Sequence, residues 1–543
     1  MNLLLKLKED FEKSTSYVTT KHDFYFNHDL NCFSTSYCLK KAGTLSMKAE
    51  ELASDCASKF SSNVFELKQE KAFLNFSLKH EYFIEFLKQQ FSLSQFARRV
   101  VVEYSSPNVG KPLHIGHIRS TIIGDSLKHL FRLHGNNVVS SNYLCEAGTQ
   151  VATLLWSLQK FGFNESNPNE LIEKYVLGNK EIEENPDYKP QVLEIVKEIE
   201  QGGGSYKELL DKVRARSIES FNEGYKKLNV SFDETLFDTD FIQKGKELVS
   251  EGLVNGLFSK DEGGEVFANL EDKGLPNLIV LRNNGTSLYS TRDLGLAELR
   301  FEKHSYDSCI IVTASEQNMH FKQVFKILEL LGKDYSKNLQ HIGYGLIKLP
   351  EGKMSSRKGI ILTFQDVFDE LRKEVLKKIE AKTYSFQEKE DISKAVAISA
   401  LKFAILKSSF DKEIIFDVNK VTSFEGDTGP KLQYNLVRIN SILDKASEVK
   451  DDFVLSSAEE ELLTHCSLLE SILLDCYENE RIHPLCDYSL KLVDVFSKYY
   501  ASNQVLNEPD VKLRTGRLKT IQKVKGSLEL VLKVLNIPVL GKM

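Results

Sequence analysis

The chain has 543 residues, of which 41% are hydrophobic and 27% are charged, and its formal net charge is −6 at pH 7. This is the composition of an ordinary globular protein that is long enough for several domains, and no apolar run approaches the roughly 20 residues that span a bilayer. The eight cysteines include no Cys-x-x-Cys pair, which argues against a zinc site and favours a reducing compartment. Early acidic residues argue against a signal or transit peptide. Because the overall charge is acidic, any nucleic-acid-binding surface must be local.

Residues 1–95 are predicted to form a small separate α+β domain. Apolar residues at helical spacing, such as Leu3, Leu7 and Phe11, alternate with extended stretches such as residues 72–76. The segment from Phe86 to Phe96 is predicted to be a short connector. Because no group of residues in this domain has a catalytic pattern, we expect a binding or structural role.

A β-α-β unit follows the connector. Residues 100–102 are an apolar β-branched run, and a turn cluster of Ser, Pro, Asn and Gly leads into a helical pattern with Ile115 and Ile118 on one face and a stop at Gly135. A second strand is predicted at residues 137–143. The helix therefore begins at the carboxyl end of a strand, where its free N–H groups and its dipole favour an anion.

The start of this helix carries the string His-Ile-Gly-His. His114 and His117 are three residues apart and project from one side of the first turn, and Gly116 has no Cβ, so that a flat group can lie against the backbone. Two imidazoles at a helix N-terminus can stabilise charge that develops in phosphoryl chemistry. A helix cap with two surface histidines is about as probable for the tetrapeptide alone, and residues 341–344 nearly repeat the string without the strand-turn-helix context.

The sheet domain continues to about residue 369. Residues 165–225 are rich in Glu, Lys and Asn and are interpreted as a helical insertion. The apolar runs 278–281 and 309–312 are predicted to be buried strands of the same parallel sheet.

Polar clusters follow both of these runs. Tyr289 and Asp293 are four residues apart at a helix start, and Gln317 follows the second run. Because parallel sheets bind ligands at the carboxyl ends of their strands, we expect these side chains to line a pocket.

A second chemical signal is the segment of residues 353–359, in which cationic and hydroxyl side chains flank Met354. A cationic loop of this kind can close on a polyphosphate and neutralise its leaving group.

From about residue 370 no strand is evident, and helical patterns continue to residue 543. Tyr499 and Tyr500 could stack on unpaired bases, although core tyrosines are as common. A local cationic face that could bind a nucleic-acid backbone is predicted from the last basic stretch, which contains Lys512, Arg514, Arg517, Lys519, Lys523 and Lys525.

These motifs resemble a known family. Residues 114–117 together with 353–356 resemble the two signatures of class I aminoacyl-tRNA synthetases, and residues 103–121 resemble the longer first motif of the arginyl-tRNA synthetases. Further segments resemble that family's arginine pocket, the start of its anticodon-binding domain and its tRNA-contacting loop: residues 288–293, 317–320, 399–403 and 427–434.

The resemblance implies a role for each matching residue. The catalytic residues would be His114, His117, Lys111 and Lys353. ATP would be bound by His114, Gly116, His117, Lys353, Met354, Ser355 and Ser356. Arginine would be bound by Glu103, Ser105, Ser106, Asn108, His117, Tyr289, Asp293 and Gln317. The tRNA would be contacted by Asp427, Thr428, Gly429, Gln433, Tyr434, Arg438, Tyr500 and Arg517.

The resemblance also implies an α/β architecture: a small N-terminal domain (1–95) that touches the outer corner of the tRNA, a Rossmann-type catalytic domain (96–369) and an all-helical anticodon-binding domain of the DALR type (370–543). The expected activity is ligation of L-arginine to tRNA(Arg) with ATP and Mg²⁺, by a cytoplasmic monomer with no protein-bound metal and no membrane partner. Two alternatives stay open, a non-catalytic tRNA-binding protein of the same ancestry and a class I synthetase for another amino acid.

The chain departs from the family pattern at two places. Ser356 replaces the usual lysine of the second signature, and Lys111, Lys353 or Lys358 could supply the charge. The segment Cys145-Glu146-Ala147-Gly148 replaces Gly-Asp-Trp-Gly, which leaves the packing of that loop open.

Overall fold

The computed structural model describes residues 2–167, 169–348, 363–446 and 451–543. By their contacts the residues form two compact units, one made of Met1–Gln95 with Ser423–Met543 and one made of Phe96–Thr422. In the described ranges, no helix has the length and apolar character needed to cross a membrane.

The N-terminal part of the first unit has the predicted α+β content, although by contacts it groups with Ser423–Met543, so that a separate domain stays a prediction. Its helices are α1 (Leu3–Thr15), α2 (Tyr37–Lys41), α3 (Ala49–Lys59) and α4 (His80–Lys88), and its strands are β1 (Phe24–Asn27), β2 (Cys32–Thr35), β3 (Phe65–Glu70) and β4 (Phe73–Leu78). The strands form one antiparallel sheet in the order β1-β2-β4-β3. Phe11 packs edge-on against Phe24, Tyr37 and Phe76 at the centre of the core. Helix α4 includes Phe86, so the predicted connector begins later than expected.

The second unit is built on a five-stranded parallel sheet with the order β12-β11-β5-β6-β7. The strands of this sheet are β5 (Arg99–Glu103), β6 (Asn137–Leu144), β7 (Glu234–Phe237), β11 (Ser308–Ala314) and β12 (Leu339–Tyr344). A separate antiparallel sheet of the same unit contains β8 (Phe258–Lys260), β9 (Val266–Ala268) and β10 (Leu278–Leu281). The helices of the unit up to β12 are α5 (Ile115–Leu133), α6 (Thr149–Phe161), α7 (Glu170–Glu184), α8 (Lys189–Glu200), α9 (Lys207–Lys227), α10 (Ile242–Val254), α11 (Tyr289–His304) and α12 (Asn318–Leu330). The β-branched residues of β5 are buried at the centre of the parallel sheet, as expected for a strand covered on both faces. The parallel-sheet prediction is therefore confirmed, and helices α7–α9 occupy the predicted insertion.

The prediction that residues 278–281 belong to the parallel sheet is wrong. Strand β10 pairs antiparallel with β9, and only Val280 of its four residues is fully buried, whereas Ile279 is 44% exposed. A four-residue apolar run does not distinguish a strand covered on both faces from one covered on a single face.

Helix α5 lies unusually close to β5. A Cβ on Gly124 would lie 2.2 Å from the Tyr104 ring, so glycine is needed for this approach. The close packing sets the N-terminus of α5 directly beyond the carboxyl end of β5.

The unit ends with α13 (Phe364–Lys378), α14 (Phe386–Leu406), α15 (Val418–Val421) and a two-residue pair of strands, β13 (Ile347–Lys348) and β14 (Ile414–Ile415). The expectation of no strand after residue 370 therefore fails at β14. By their contacts residues 370–422 belong to this unit, while the functional boundary at residue 370 stays a prediction.

The C-terminal part of the first unit is helical, as predicted. It contains α16 (Gly429–Leu443), α17 (Ser457–Ser467), α18 (Leu469–Glu478), α19 (His483–Ser502) and α20 (Val511–Val534). Helix α20 contacts α16, α17 and α19, and it also contacts α4 of the N-terminal part.

Candidate active site

A cavity of about 460 Å³ opens at the carboxyl ends of β5 and β11. Every side chain predicted to bind arginine lines it: Glu103, Ser105, Ser106, Asn108, His117, Tyr289, Asp293 and Gln317. These residues come from three separate segments of the chain. The cavity is also lined by residues to which the sequence analysis gave no individual role: Ser120, Tyr143, Cys145, Val312, Thr313, Ala314, His320, Phe321 and Tyr344.

The loop after β5 holds two consecutive residues in the left-handed region. Ser105 has φ +74° and Ser106 has φ +48°, a conformation that non-glycine residues keep only when their surroundings enforce it. The Ser105 N–H donates to Ser120 Oγ (3.0 Å), and the Ser106 N–H donates to Asn142 Oδ1 (3.2 Å). The Ser105 hydroxyl also contacts the Tyr225 hydroxyl at 2.8 Å. These bonds hold the loop in a fixed shape at the mouth of the cavity.

The two histidines at the start of α5 form a stacked pair with ring centroids 3.7 Å apart. His114 Nδ1 accepts from the Gly116 N–H (3.2 Å), and His117 Nδ1 accepts from the His114 N–H (3.4 Å). Burial, with Lys111 nearby, lowers the pKa of His114, and burial followed by the charges of His114 and Lys111 lowers the pKa of His117. Both rings are therefore neutral near pH 7, and because Nδ1 accepts in each, the proton is on Nε2.

Gly116 has a packing role within this pair. A Cβ at this position would lie 3.0 Å from a carbon of the His114 ring. The glycine therefore leaves room for the histidine itself, in addition to any flat ligand.

Three carboxylates at or behind the cavity have cationic partners. Glu103 is bonded to the buried Arg300 guanidinium, and Asp238 lies 2.9 Å from Arg292. Asp293 instead contacts the imidazole of His320, with 2.5 Å between Oδ2 and Nε2. Of these three carboxylates, Asp293 alone has a partner that can lose its charge at ordinary pH.

The loop that departs from the family pattern is held by a polar network. Arg214 binds both carboxylate oxygens of Glu146 at 2.7 Å, and the Glu146 and Ala147 N–H groups donate to Asp238 at 3.0 and 2.8 Å. Arg292 donates to Cys145 Sγ at 3.3 Å. Charged hydrogen bonds therefore fix a loop in which the family usually has an aromatic side chain.

Lys111 lies beside the signature helix, with its Nζ 4.8 Å from the centroid of the Tyr175 ring on α7. The residues of the second signature, Lys353, Met354, Ser355 and Ser356, together with Lys358, lie outside the described residues. On the far side of that gap, Thr363 forms a β-bridge to His114, and the Phe364 N–H donates to the Leu113 carbonyl at 2.8 Å.

Arg119 was missed by the sequence analysis. It is fully buried on α5, and its guanidinium donates to four backbone carbonyls, those of Gly345, Leu346 (3.1 Å), Phe410 (2.9 Å) and Lys412 (2.6 Å). Burial lowers its pKa to about 10. The Arg119 guanidinium thus joins helix α5 to the backbone that follows β12. The signal in the sequence that could have indicated this role is an arginine beside the apolar face of a helix predicted to be buried.

In the C-terminal helices, Tyr434, Arg438 and Tyr500 form a surface cluster in which Arg438 is partly exposed. The Arg438 guanidinium lies 5.0 Å from the Tyr434 ring centroid and 5.3 Å from that of Tyr500, and both tyrosines are more than one-third exposed. Thr428 caps α16 through its hydroxyl, which accepts from the Lys431 N–H, and Asp427 precedes it. This cluster is an accessible surface of the kind that stacks on bases.

Four predicted tRNA contacts are buried instead. Gln433 is 1% exposed and donates to the Pro538 carbonyl, and Arg517 is 8% exposed and contacts Glu459 and Glu508. Gly429 is also buried in the first turn of α16, and its neighbour Thr428 is 7% exposed. These positions support the fold in this structure and present no surface to a ligand.

The basic residues of the last basic stretch have partners in the structure, so that the predicted cationic face stays a prediction with fewer unpaired charges than the sequence suggests. Lys512 pairs with Asp452, Lys519 with Asp451 and Lys525 with Glu529. Lys523 is buried and donates to the Phe86 and Gln89 carbonyls, and Arg514 donates to the Glu508 carbonyl. A count of basic residues in the sequence does not show which of them are neutralised by distant partners.

Comparisons with known proteins agree with this geometry. Residues 84–418 match the family described as tRNA synthetases class I (R), catalytic domain, and residues 432–543 match the DALR anticodon binding domain. The chain is 34% identical to the arginine–tRNA ligase of Clostridium perfringens over 459 residues, covering 82% of this chain and 80% of the relative. It is also 34% identical to that of Clostridioides difficile over 461 residues, covering 83% and 81%.

Solved structures share the fold. The arginyl-tRNA synthetase of Thermus thermophilus has a TM-score of 0.83 at 22% identity and covers 100% of both chains. That of Plasmodium falciparum has a TM-score of 0.84 at 21% identity and covers 100% of this chain and 99% of its own. The sequence relatives and the family match together show that the chain belongs to the arginine-specific class I aminoacyl-tRNA synthetases, the arginine–tRNA ligases.

Proposed function

We propose that the cavity beyond β5 and β11 binds L-arginine, which is activated there with ATP and then transferred to the 3′ end of tRNA(Arg). The observation that carries this proposal is that all of the predicted arginine-binding residues line one cavity. The neighbouring helix start supplies two neutral histidines with N–H donors.

The guanidinium of arginine would be held by Asp293, with Tyr289 and Gln317 beside it. A guanidinium is a planar fork that a carboxylate accepts through two parallel hydrogen bonds. The amino and carboxylate end would lie against the loop after β5, which supplies Glu103, Ser105, Ser106 and Asn108, and against His117. Because Arg300 already neutralises Glu103, that carboxylate would add a hydrogen-bond acceptor with little net negative charge.

The phosphates of ATP would lie at the N-terminus of α5. The Nε2–H groups of His114 and His117 are directed donors, and the free N–H groups of the helix start favour an anion. An oxygen of the arginine carboxylate attacks the α-phosphorus, and the bond to pyrophosphate breaks. A ribose hydroxyl of the tRNA then attacks the arginyl carbonyl, and AMP leaves. Both steps depend on positioning and charge stabilisation.

Cationic side chains would neutralise the departing pyrophosphate. Lys111 stands next to the histidine pair and would leave the Tyr175 ring to reach the phosphates. Lys353, with Met354, Ser355 and Ser356, would complete this part of the site.

Magnesium would enter as part of the substrate. In the described part of the chain no group of three or more His, Cys, Asp or Glu side chains could hold a metal ion. Mg²⁺ would arrive bound to the ATP phosphates, where it offsets their negative charge.

The tRNA would be held by the helical C-terminal domain and the N-terminal domain. Tyr434, Arg438 and Tyr500 offer exposed aromatic rings and a cation near the anticodon, and Asp427 would contact the tRNA beside the start of α16, which Thr428 caps. Residues 1–95 would touch the outer corner of the tRNA. The enzyme would act as a cytoplasmic monomer.

The test is arginine-dependent exchange of pyrophosphate into ATP, measured with and without tRNA(Arg), followed by charging of that tRNA. We expect exchange with arginine and none with lysine or glutamine. His117→Gln should lower the exchange rate by about a hundredfold or more, whereas His129→Gln, the same change near the other end of α5, should stay within a few fold of wild type. Absence of both exchange and charging with arginine would refute the proposal.

A further inference from the structure

His320 occupies a position in the cavity to which no role has been given. Its ring lies on α12 and its Nε2 is 2.5 Å from Asp293 Oδ2, with the two side chains only 22% and 14% exposed. This contact involves the same carboxylate that is proposed to hold the arginine guanidinium. In the free protein, the imidazole therefore occupies part of the space around Asp293 that the substrate needs.

The pairing of Asp293 differs from that of the neighbouring carboxylates. Glu103 and Asp238 are matched by arginines, which keep their charge at every ordinary pH. The Asp293 side chain is only 14% exposed, and a carboxylate so far removed from water is costly without a cation, so Asp293 also needs a partner when the cavity is empty. A histidine can provide a charge in the empty cavity and give it up when another cation arrives.

The surroundings of His320 favour its charged form. Burial by itself would lower the pKa of His320, but the hydrogen bond and charge of Asp293 outweigh burial, and the pKa is raised. On β12, burial lowers the pKa of His341 to about 4, so this ring is neutral, and it is hydrogen-bonded to Thr313 at 2.7 Å. Across the cavity, Glu103 is neutralised by Arg300 and His117 is neutral.

We propose that His320 is the resident counter-cation of Asp293 and that binding of arginine expels the proton of His320. The proposal rests on the assignment of Asp293 to the guanidinium. In the free enzyme the protonated imidazole is bonded to the carboxylate. The guanidinium replaces it, keeps its own proton and bonds to Asp293, while His320 becomes neutral and its proton passes to solvent.

Because the guanidinium replaces the protonated imidazole of His320 at Asp293, the affinity for arginine should depend on pH with a definite sign. When His320 has a higher pKa in the free enzyme than in the complex, binding releases a proton in the interval between the two values. Affinity then rises with pH by up to about tenfold per unit across that interval and levels off above the free-enzyme pKa. Below the interval His320 stays protonated in the complex and the slope disappears.

The experiment is calorimetric titration of arginine into the full chain in two buffers that differ in ionisation enthalpy, repeated between about pH 5.5 and 8. The wild type should release up to one proton per arginine bound. His320→Gln keeps a hydrogen-bond donor but carries no charge, and it should release none, lose the pH slope and bind arginine more tightly than wild type at the acid end. His341→Gln, which removes a neighbouring neutral histidine, should release protons as the wild type does.

Three results would overturn the inference. If arginine binds to wild type with the same apparent enthalpy in both buffers at every pH, no proton is released. The assignment of the cavity to arginine would not be affected by that result. Equal loss of affinity at all pH values in His320→Gln shows that His320 only orients Asp293. If wild type binds no arginine, the assignment of the pocket fails together with the inference.

Discussion

Replacing Asp293 with asparagine removes one charge from the proposed guanidinium site and changes the side-chain size very little. The Asp293 side chain is only 14% exposed, so solvent screens it weakly. Removing one partner of a desolvated charged pair costs about 2–5 kcal/mol. A loss of about 3 kcal/mol corresponds to roughly a hundredfold in kcat/KM for arginine. Most of the loss should appear in KM, because the guanidinium is held equally in the ground state and the transition state.

The assay is steady-state charging of tRNA(Arg) over a range of arginine concentrations, with thermal unfolding recorded beside it. Asp307→Asn removes a carboxylate that is 44% exposed and pairs with Arg99, and this control should leave the arginine KM unchanged. The contact with His320 raises the pKa of that histidine, so its stabilisation of the fold is present below the unfolded pKa and is lost as pH rises through the folded pKa. Asp293→Asn should therefore lower Tm more at about pH 5.5 than at about pH 8. Unchanged arginine KM, with only Tm reduced, would refute the guanidinium assignment.

Three further predictions test other parts of the molecule. Lys111→Ala should lower kcat by about a hundredfold or more, roughly 3 kcal/mol, without changing the arginine Kd; a single-turnover rate within about threefold of wild type would mean that Lys353 or Lys358 supplies the charge. Arg119→Lys keeps the charge, but an ammonium cannot donate to four carbonyls at once. The free energy of unfolding, measured with denaturant, should therefore fall by about 2–4 kcal/mol, and the exchange of pyrophosphate into ATP should slow by tenfold or more. An unchanged free energy of unfolding would contradict the role given to the Arg119 hydrogen bonds. Tyr500→Ala should weaken tRNA binding by about 1–3 kcal/mol, whereas Arg517→Gln should lower Tm and leave the salt dependence of tRNA binding unchanged. Unchanged tRNA binding by Tyr500→Ala, together with a reduced salt dependence in Arg517→Gln, would indicate that the tRNA binds to the basic stretch.

Local patterns in the sequence were enough to predict the signature helix and its surroundings. A β-branched run, a turn cluster and an amphipathic helix with a stop at Gly135 determine a β-α-β unit through short-range sterics and hydrogen bonding. Tyr289 and Asp293 were placed on one face by helix periodicity alone. The convergence of these segments on one cavity followed from the expectation that ligands bind at the carboxyl ends of parallel strands, although β10 proved to belong to another sheet.

Tertiary structure alone decided which charges are available. Arg517 and Lys523 are buried against partners far away in the sequence, Glu459 and the Phe86 carbonyl, while Arg438 is partly exposed beside two tyrosines. In the same way, only the fold shows that Arg119 serves four carbonyls and that His320 faces Asp293. Side-chain type and spacing determine local conformation because those interactions act over a few residues. The partner of a charged group depends on which distant segments packing brings together and on how far burial removes the group from water.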